Sequence, residues 1–329
     1  MTMKLAGLLL GLASIATTSS WADPMLAVVA RGDGAVNLYR VQADGIGLSL
    51  TKSIPVGKAP GEMCLDPNGK RIFVSNVAER NVAVIDLATQ EVTADLTAPD
   101  IASPDGCVVS PDSRKLYVLD QKANAAFVFS TDTNQLLKKI AVGQEPRRAI
   151  FSPEGRRLLV SNAHSNSLSV IDPATDTVGN TVKTGTEPRA LSFSPDGKTL
   201  AVSIIDDDCA SLYKADTLEF KQQFAVAQSP QRIIYSPDGK LMFVLGKISD
   251  EIAVVRIEDQ SSRMAGTIRV TPDAIGATNS WGMAMTPNGR YLYVSNIGEG
   301  IVSIVDAQLM RTFRSVPVGK QPMALLYIP

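Results

Sequence analysis

Apolar residues in this chain come in runs of about five, too short for ordinary helices, and each pair of runs is joined by the same kind of polar turn. The unit recurs as APGEMCLDPNGKRIFVSN (59–76), SPDGCVVSPDSRKLYVLD (103–120), EPRRAIFSPEGRRLLVSN (145–162), EPRALSFSPDGKTLAVSI (187–204), SPQRIIYSPDGKLMFVLG (229–246) and SWGMAMTPNGRYLYVSN (280–296). Its turn prolines are Pro67, Pro111, Pro153, Pro195, Pro237 and Pro287, at intervals of 44, 42, 42, 42 and 50 residues. A further step of 42 from Pro287 reaches Pro329, so QPMALLYIP (321–329) is a seventh copy that stops at its turn.

Each copy predicts four strands. Strand A ends at a Ser-Pro-Asp-Gly type turn, where Pro suits the second position and Gly the fourth. Strand B follows as IFVSN, LYVLD or LYVSN, and strand C as VAVID (82–86), LSVID (168–172) or VSIVD (302–306). Strand D then leads to a Val-Gly or Thr-Gly before the next Pro. A period near forty residues built of four short strands is the signature of a β-propeller blade. The same ruler makes LAVVA (26–30) a strand B and VNLYR (36–40) a strand C. The expected fold is therefore an all-β, seven-bladed propeller of four-stranded antiparallel blades. Its ring is closed by pairing the C-terminal inner strand, Met323–Ile328, with N-terminal strands between Leu26 and about Val56.

Residues 1–22 stand outside this pattern. They carry an early Lys4, an apolar run from Leu5 to Ala16, and Ser20 and Ala22 at the −3 and −1 positions of a cleavage site. We expect an export signal over 1–22, a single propeller domain over 23–329, and a periplasmic or secreted protein with no membrane span after cleavage. The apolar run is short for a bilayer crossing. With 32 basic and 33 acidic residues and no basic run, bulk electrostatics disfavour nucleic-acid binding without excluding a local patch.

The phrases FVSN, LLVSN and YVSN, followed by VID and by VGxxP, resemble the YVTN-repeat family of bacterial and archaeal β-propellers, and the likeness runs through all seven blades. The resemblance implies an exported seven-bladed propeller. Its members serve unlike ends, among them cell-surface proteins, periplasmic proteins implicated in DNA binding, and propellers tied to quinoprotein or haem d1 pathways. No Cys-x-x-Cys-His is present for covalent haem, and no cofactor is expected.

Candidate chemistry lies where the strands A begin. Six residues before each turn Pro stand Gly61, Asp105, Arg147, Arg189, Gln231, Trp281 and Met323. One residue further stand Glu62, Gly106, Arg148, Ala190, Arg232, Gly282 and Ala324. Arg147, Arg148, Arg189 and Arg232 thus converge on one side of the channel mouth, beside Glu62 and Asp105. Such an arc suits a carboxylate or phosphate. It equally suits a plug in which the arginines pair with Glu62, Asp105 and free carbonyls. Trp281 follows a six-residue insertion in TPDAIGATNSWG (271–282) and is either a recognition element or a plug.

Other features read as structural. His164, the only histidine, is a solvated loop residue, which rules out two-histidine metal sites within one chain. Asp206–Asp208 reads as a solvated turn. Cys64 and Cys107 enter the interface of blades one and two, but sheets pack about 10 Å apart and a disulfide needs Cα atoms within about 7 Å, so buried thiols are expected. Cys209, beside the aspartates, is the candidate reactive thiol.

The reading is a monomeric, non-catalytic binding module for an anionic small molecule or a periplasmic partner protein, with no metal. Arg147, Arg148, Arg189, Arg232, Trp281, Glu62 and Asp105 form its candidate site. The principal alternative is a metal-assisted lactonase using Glu62, Asp105 and nearby Asn residues, and a nucleic-acid-binding propeller is the third.

Overall fold

The computed structural model describes residues 23–258, 261–271 and 279–329. The expected signal segment 1–22 and most of the blade-six insertion lie outside them. The described strands form seven four-stranded antiparallel sheets. Blade one comprises Pro60–Leu65, Arg71–Asn76, Asn81–Asp86 and Glu91–Leu96, from inner strand A to outer strand D. Among the described residues no helix is long and apolar enough to cross a membrane.

The ring closes as the repeat register requires. Pro322–Ile328 is the inner strand of blade seven, and Met25–Ala30, Ala35–Val41 and Leu48–Pro55 complete its sheet. The closing pair is antiparallel, with Met25 opposite Ile328, Leu26 opposite Tyr327 and Ala27 opposite Leu326. Two edges that would otherwise be left unpaired are thereby buried.

Alternation along each strand sends apolar side chains to both faces of a blade, and each face packs on a neighbour. The result is a separate buried cluster at each blade interface. One joins Phe73, Val82 and Val84 of blade one to Leu116, Val118 and Phe127 of blade two. Another joins Val29, Val36 and Leu38 of blade seven to Ile72, Val74 and Ile85 of blade one, across the junction of the chain ends.

The repeated turns fold as their residues dictate. Ser194 and Ser236 hydroxyls donate to Asp196 and Asp238 at 2.6 Å, within the turn. The N–H of Gly197 donates to the Ser194 carbonyl at 2.8 Å, with Gly197 at φ +71°, a conformation that favours glycine.

The recurrent Ser of Val-Ser-Asn ties one blade to the next. Ser161 Oγ accepts the N–H of Arg148 in its own blade and donates to the Arg189 carbonyl of blade four at 2.7 Å. Ser295 likewise accepts from Gly282 and donates to Met323 of blade seven. Each strand A is bulged here. Pro146 faces Asn162 and Arg148 faces Ser161, leaving Arg147 as the extra residue. The bulge aims two consecutive side chains at the mouth.

The cysteine expectation is corrected. Cys64 and Cys107 form a disulfide, with Cα atoms 5.8 Å apart. The 10 Å spacing of stacked sheets does not hold at the hub, because the blades converge there and their inner strands approach far more closely than their outer ones. Cys209 is not a reactive loop thiol either. It opens the strand Cys209–Lys214, is buried, and burial pushes its thiol pKa up.

Removing Pro322–Pro329 takes away the inner strand of blade seven, so the truncated chain is expected to lose cooperative thermal unfolding or to aggregate. A circular permutant that joins Pro329 to Asp23 through a two- or three-residue turn should melt cooperatively. A truncated monomer with the parent's melting temperature would show that closure is not needed.

Candidate functional site

All seven sequence candidates meet at one mouth of the channel, and Glu62 is their hub. It is buried and comes from blade one. Its Oε1 accepts from Arg148 of blade three, from Arg232 of blade five at 2.7 Å, and from the Trp281 indole N–H of blade six at 3.0 Å. Burial alone would raise its pKa, but the charges of Arg148 and Arg232, with the hydrogen bonds from Trp281 and Arg232, outweigh burial and lower it to about 2. Burial and repulsion from Arg148 push Arg232 down, opposed by Glu62.

Asp105 of blade two forms a second, looser node. Arg147 and Arg148 approach its Oδ2 at 3.7 and 3.6 Å, and the Gln121 amide donates to the same atom at 2.5 Å. Gly106, next in sequence, allows the Arg147 carbonyl of blade three to pass close by. A Cβ built there would lie 2.3 Å from that oxygen.

Arg189 of blade four is arranged differently. Only 5% of it is exposed, yet its guanidinium makes no hydrogen bond or ion pair among the described residues, and its Nε lies buried without a partner. It lies against Trp281, with Cζ 4.9 Å from the ring centroid. Lys247 of blade five lies over the same ring, with Nζ at 5.3 Å, and also has no ion pair among the described residues. Burial, then repulsion from Arg148 and Arg147, lowers Arg189 to about 9, and it stays charged at neutral pH. Burial, Arg189 and Arg147 lower Lys247 as well.

Glu145, His164, Glu187, Lys247 and Arg31 at this mouth were not among the candidate site residues. Glu145 pairs with Arg147 on one carboxylate oxygen and with His164 Nε2 at 2.6 Å on the other. His164 is exposed, as expected of a loop residue, but it is engaged. Glu187 and Lys247 stand near Arg189, and Arg31 of blade seven donates to the carbonyls of Ala59 and Pro60. The repeat contained a signal for some of them. Glu145 and Glu187 each precede the Pro that opens strand A, and His164 and Asp206 stand eleven residues after their turn prolines. Among the described residues no group of three or more His, Cys, Asp or Glu side chains is placed to hold a metal ion.

The family described as YNCE-like β-propeller matches residues 107–262. With the seven-bladed ring, this match fits the YVTN-type resemblance. The curated proteins give no match. Solved structures do. The hydrazine synthase of Kuenenia stuttgartiensis is 24% identical, with a TM-score of 0.70 over 80% of this chain and 88% of that one. The periplasmic gluconolactonase of Pseudomonas aeruginosa is 18% identical, with a TM-score of 0.75 over 93% and 99%. A functionally unknown protein of Desulfotomaculum acetoxidans is 14% identical, with a TM-score of 0.79 over 93% and 99%. At these identities the likeness establishes the fold, and function is argued from the mouth itself.

Replacing Glu62 by Gln leaves Arg148 and Arg232 buried without their counter-charge and should cost roughly 3 kcal/mol at neutral pH. A carboxylate whose folded pKa lies below its unfolded 4.5 stabilises fully above that value and loses the contribution as pH falls toward 2. The gap in urea stability between the parent and Glu62→Gln should therefore close from pH 5 to pH 2. A gap that stays constant over that range would show that Glu62 carries no such coupling.

Proposed function

We propose that this protein is an exported binding module that captures a small anion, a carboxylate or a phosphate, at the mouth where Arg189, Arg147 and Lys247 face the rim. The observation that carries the reading is the difference between the arginines. Arg148 and Arg232 are held by Glu62, and Arg147 shares Glu145 and Asp105. Among the described residues Arg189 is buried with no ion pair, and Lys247 beside it has none. A buried guanidinium without a counter-charge is costly, and an anion supplied by a ligand removes that cost while forming charge-assisted hydrogen bonds. The Trp281 indole, braced by its bond to Glu62, supplies a rigid wall beside the two cations.

The lactonase alternative draws on the fold shared with a gluconolactonase, but the mouth carboxylates do not support it. Glu62 and Asp105 both face guanidinium groups, which is a poor setting for ligating a cation. A nucleic-acid groove needs stacking aromatics open to solvent along a basic track, and Trp281 already carries Arg189 and Lys247 over its ring.

Calorimetric titration with inorganic phosphate and with succinate tests the proposal. The parent should bind at least one of them, more weakly as salt is raised. Arg189→Gln should lose ten- to a hundredfold in affinity, since each charged hydrogen bond is worth roughly 1.5–3 kcal/mol. His164→Ala, on the exposed side of Glu145, should change affinity little. Equal affinity in the parent and Arg189→Gln, or no binding of either anion by a folded parent, would overturn the assignment.

A further inference from the structure

Blades three and four build the same rim scaffold and fill it with different charges. In blade three the N–H groups of Ala163 and His164 donate to the carbonyls of Glu145 and Gln144 at 3.0 and 3.2 Å. In blade four those of Ile205 and Asp206 donate to Glu187 and Thr186 at 3.1 and 3.4 Å. Glu145 and Glu187 share a left-handed backbone, φ 53° and 60°, although each precedes a proline. The loop side chains Asn124 and Asn166 accept the N–H of Glu145 and Glu187 at 2.9 and 3.0 Å. With the backbone matched, any difference between the two positions lies in the side chains.

In blade three the charges are satisfied internally. Glu145 lies between Arg147 and His164, one carboxylate oxygen to each. In blade four the arginine of the matching position, Arg189, turns instead to the Trp281 ring, and the place of the imidazole is taken by Asp206. Among the described residues Glu187 has no ion pair, and it faces another carboxylate. Burial, then the hydrogen-bonding contact and charge of Asp206, push its pKa up, and Arg189 and Arg147 only partly oppose this. Among the described residues the partly buried Glu187 and the exposed Asp206 have no ion pair, and the neighbouring buried guanidinium has none either, with its Nε unpartnered. The two deficits are complementary, and they lie within electrostatic reach of each other.

We infer that the blade-four rim is a two-ended site for a small zwitterion, an amino acid whose carboxylate is taken by Arg189 and Lys247 and whose ammonium is taken by Glu187 and Asp206. The inference rests on the anion-binding reading above and narrows its ligand class. An ammonium between Glu187 and Asp206 takes the part that His164 and Arg147 play around Glu145. Three charge-assisted donors on one ammonium match the acceptors that two carboxylates present. A plain carboxylate or phosphate satisfies only one end and leaves the like-charged pair as it was.

Trp281 provides the readout, because it is the only tryptophan between residues 23 and 329 and lies against Arg189. Its fluorescence would be titrated with alanine, β-alanine and 4-aminobutyrate, each against its counterpart without nitrogen, propionate or butyrate. At least one amino acid should bind ten times or more tightly than its counterpart. The double substitution Glu187→Gln with Asp206→Asn should abolish that advantage, so that each amino acid and its counterpart bind the variant alike, and Arg189→Gln should weaken both ligands. Arg189-dependent carboxylate binding with no amino-acid advantage, or an advantage that survives the double substitution, would overturn the zwitterion assignment and leave the anion site standing. Absence of binding by either class would overturn both.

Discussion

A single buried carboxylate organises the hub of this propeller. Glu62, from blade one, is reached by side chains of blades three, five and six, and all three donors meet on one oxygen. In a solenoid-like ring most contacts are made between neighbouring blades. Glu62 couples blades that are not neighbours, and the Cys64–Cys107 disulfide two residues along its strand ties blade one to blade two at the same level. Burying a carboxylate is unfavourable unless its partners are fixed, so the position of Glu62 dictates where Arg148, Arg232 and Trp281 must lie.

That constraint divides the arginines. Two are drawn to the axis, a third is held between Glu145 and Asp105, and the fourth, Arg189, has no ion pair among the described residues. Arg189 takes the face of Trp281, whose orientation is set by its own bond to Glu62. Of the plug and the binding arc, which the sequence presents as rivals, the contacts around Glu62 fit the plug. The axial half of the cluster is the plug, and the blade-four half is where charge is left over.

The propeller and its closure were legible because both are periodic. Turn prolines and Val-Ser-Asn phrases mark the strand ends, and one more period reaches the chain terminus. The same register put Arg147, Arg148, Arg189, Arg232, Glu62, Asp105 and Trp281 at one mouth. Their pairing was not legible, since Glu62 bonds partners 86, 170 and 219 residues away across the ring, and periodicity carries no information about cross-ring contacts. The disulfide was misjudged because sheet spacing is a property of flat stacks, and the inner strands of a propeller converge. Glu145, Glu187 and Lys247 lie in loops between strands, where side-chain direction does not follow alternation. Only comparison of one blade with the next, at matched turn positions, brings out the contrast between His164 and Asp206.

The central claim, that Arg189 rather than the axial arginines is free to meet a ligand, is tested most directly by nitrogen NMR of the arginine Nε–H groups during a phosphate titration. Arg189 Nε, buried without a partner among the described residues, should show the largest shift, while Arg148 and Arg232, held by Glu62, stay close to their starting positions. A titration that moves Arg148 and Arg232 and leaves Arg189 in place would contradict the account.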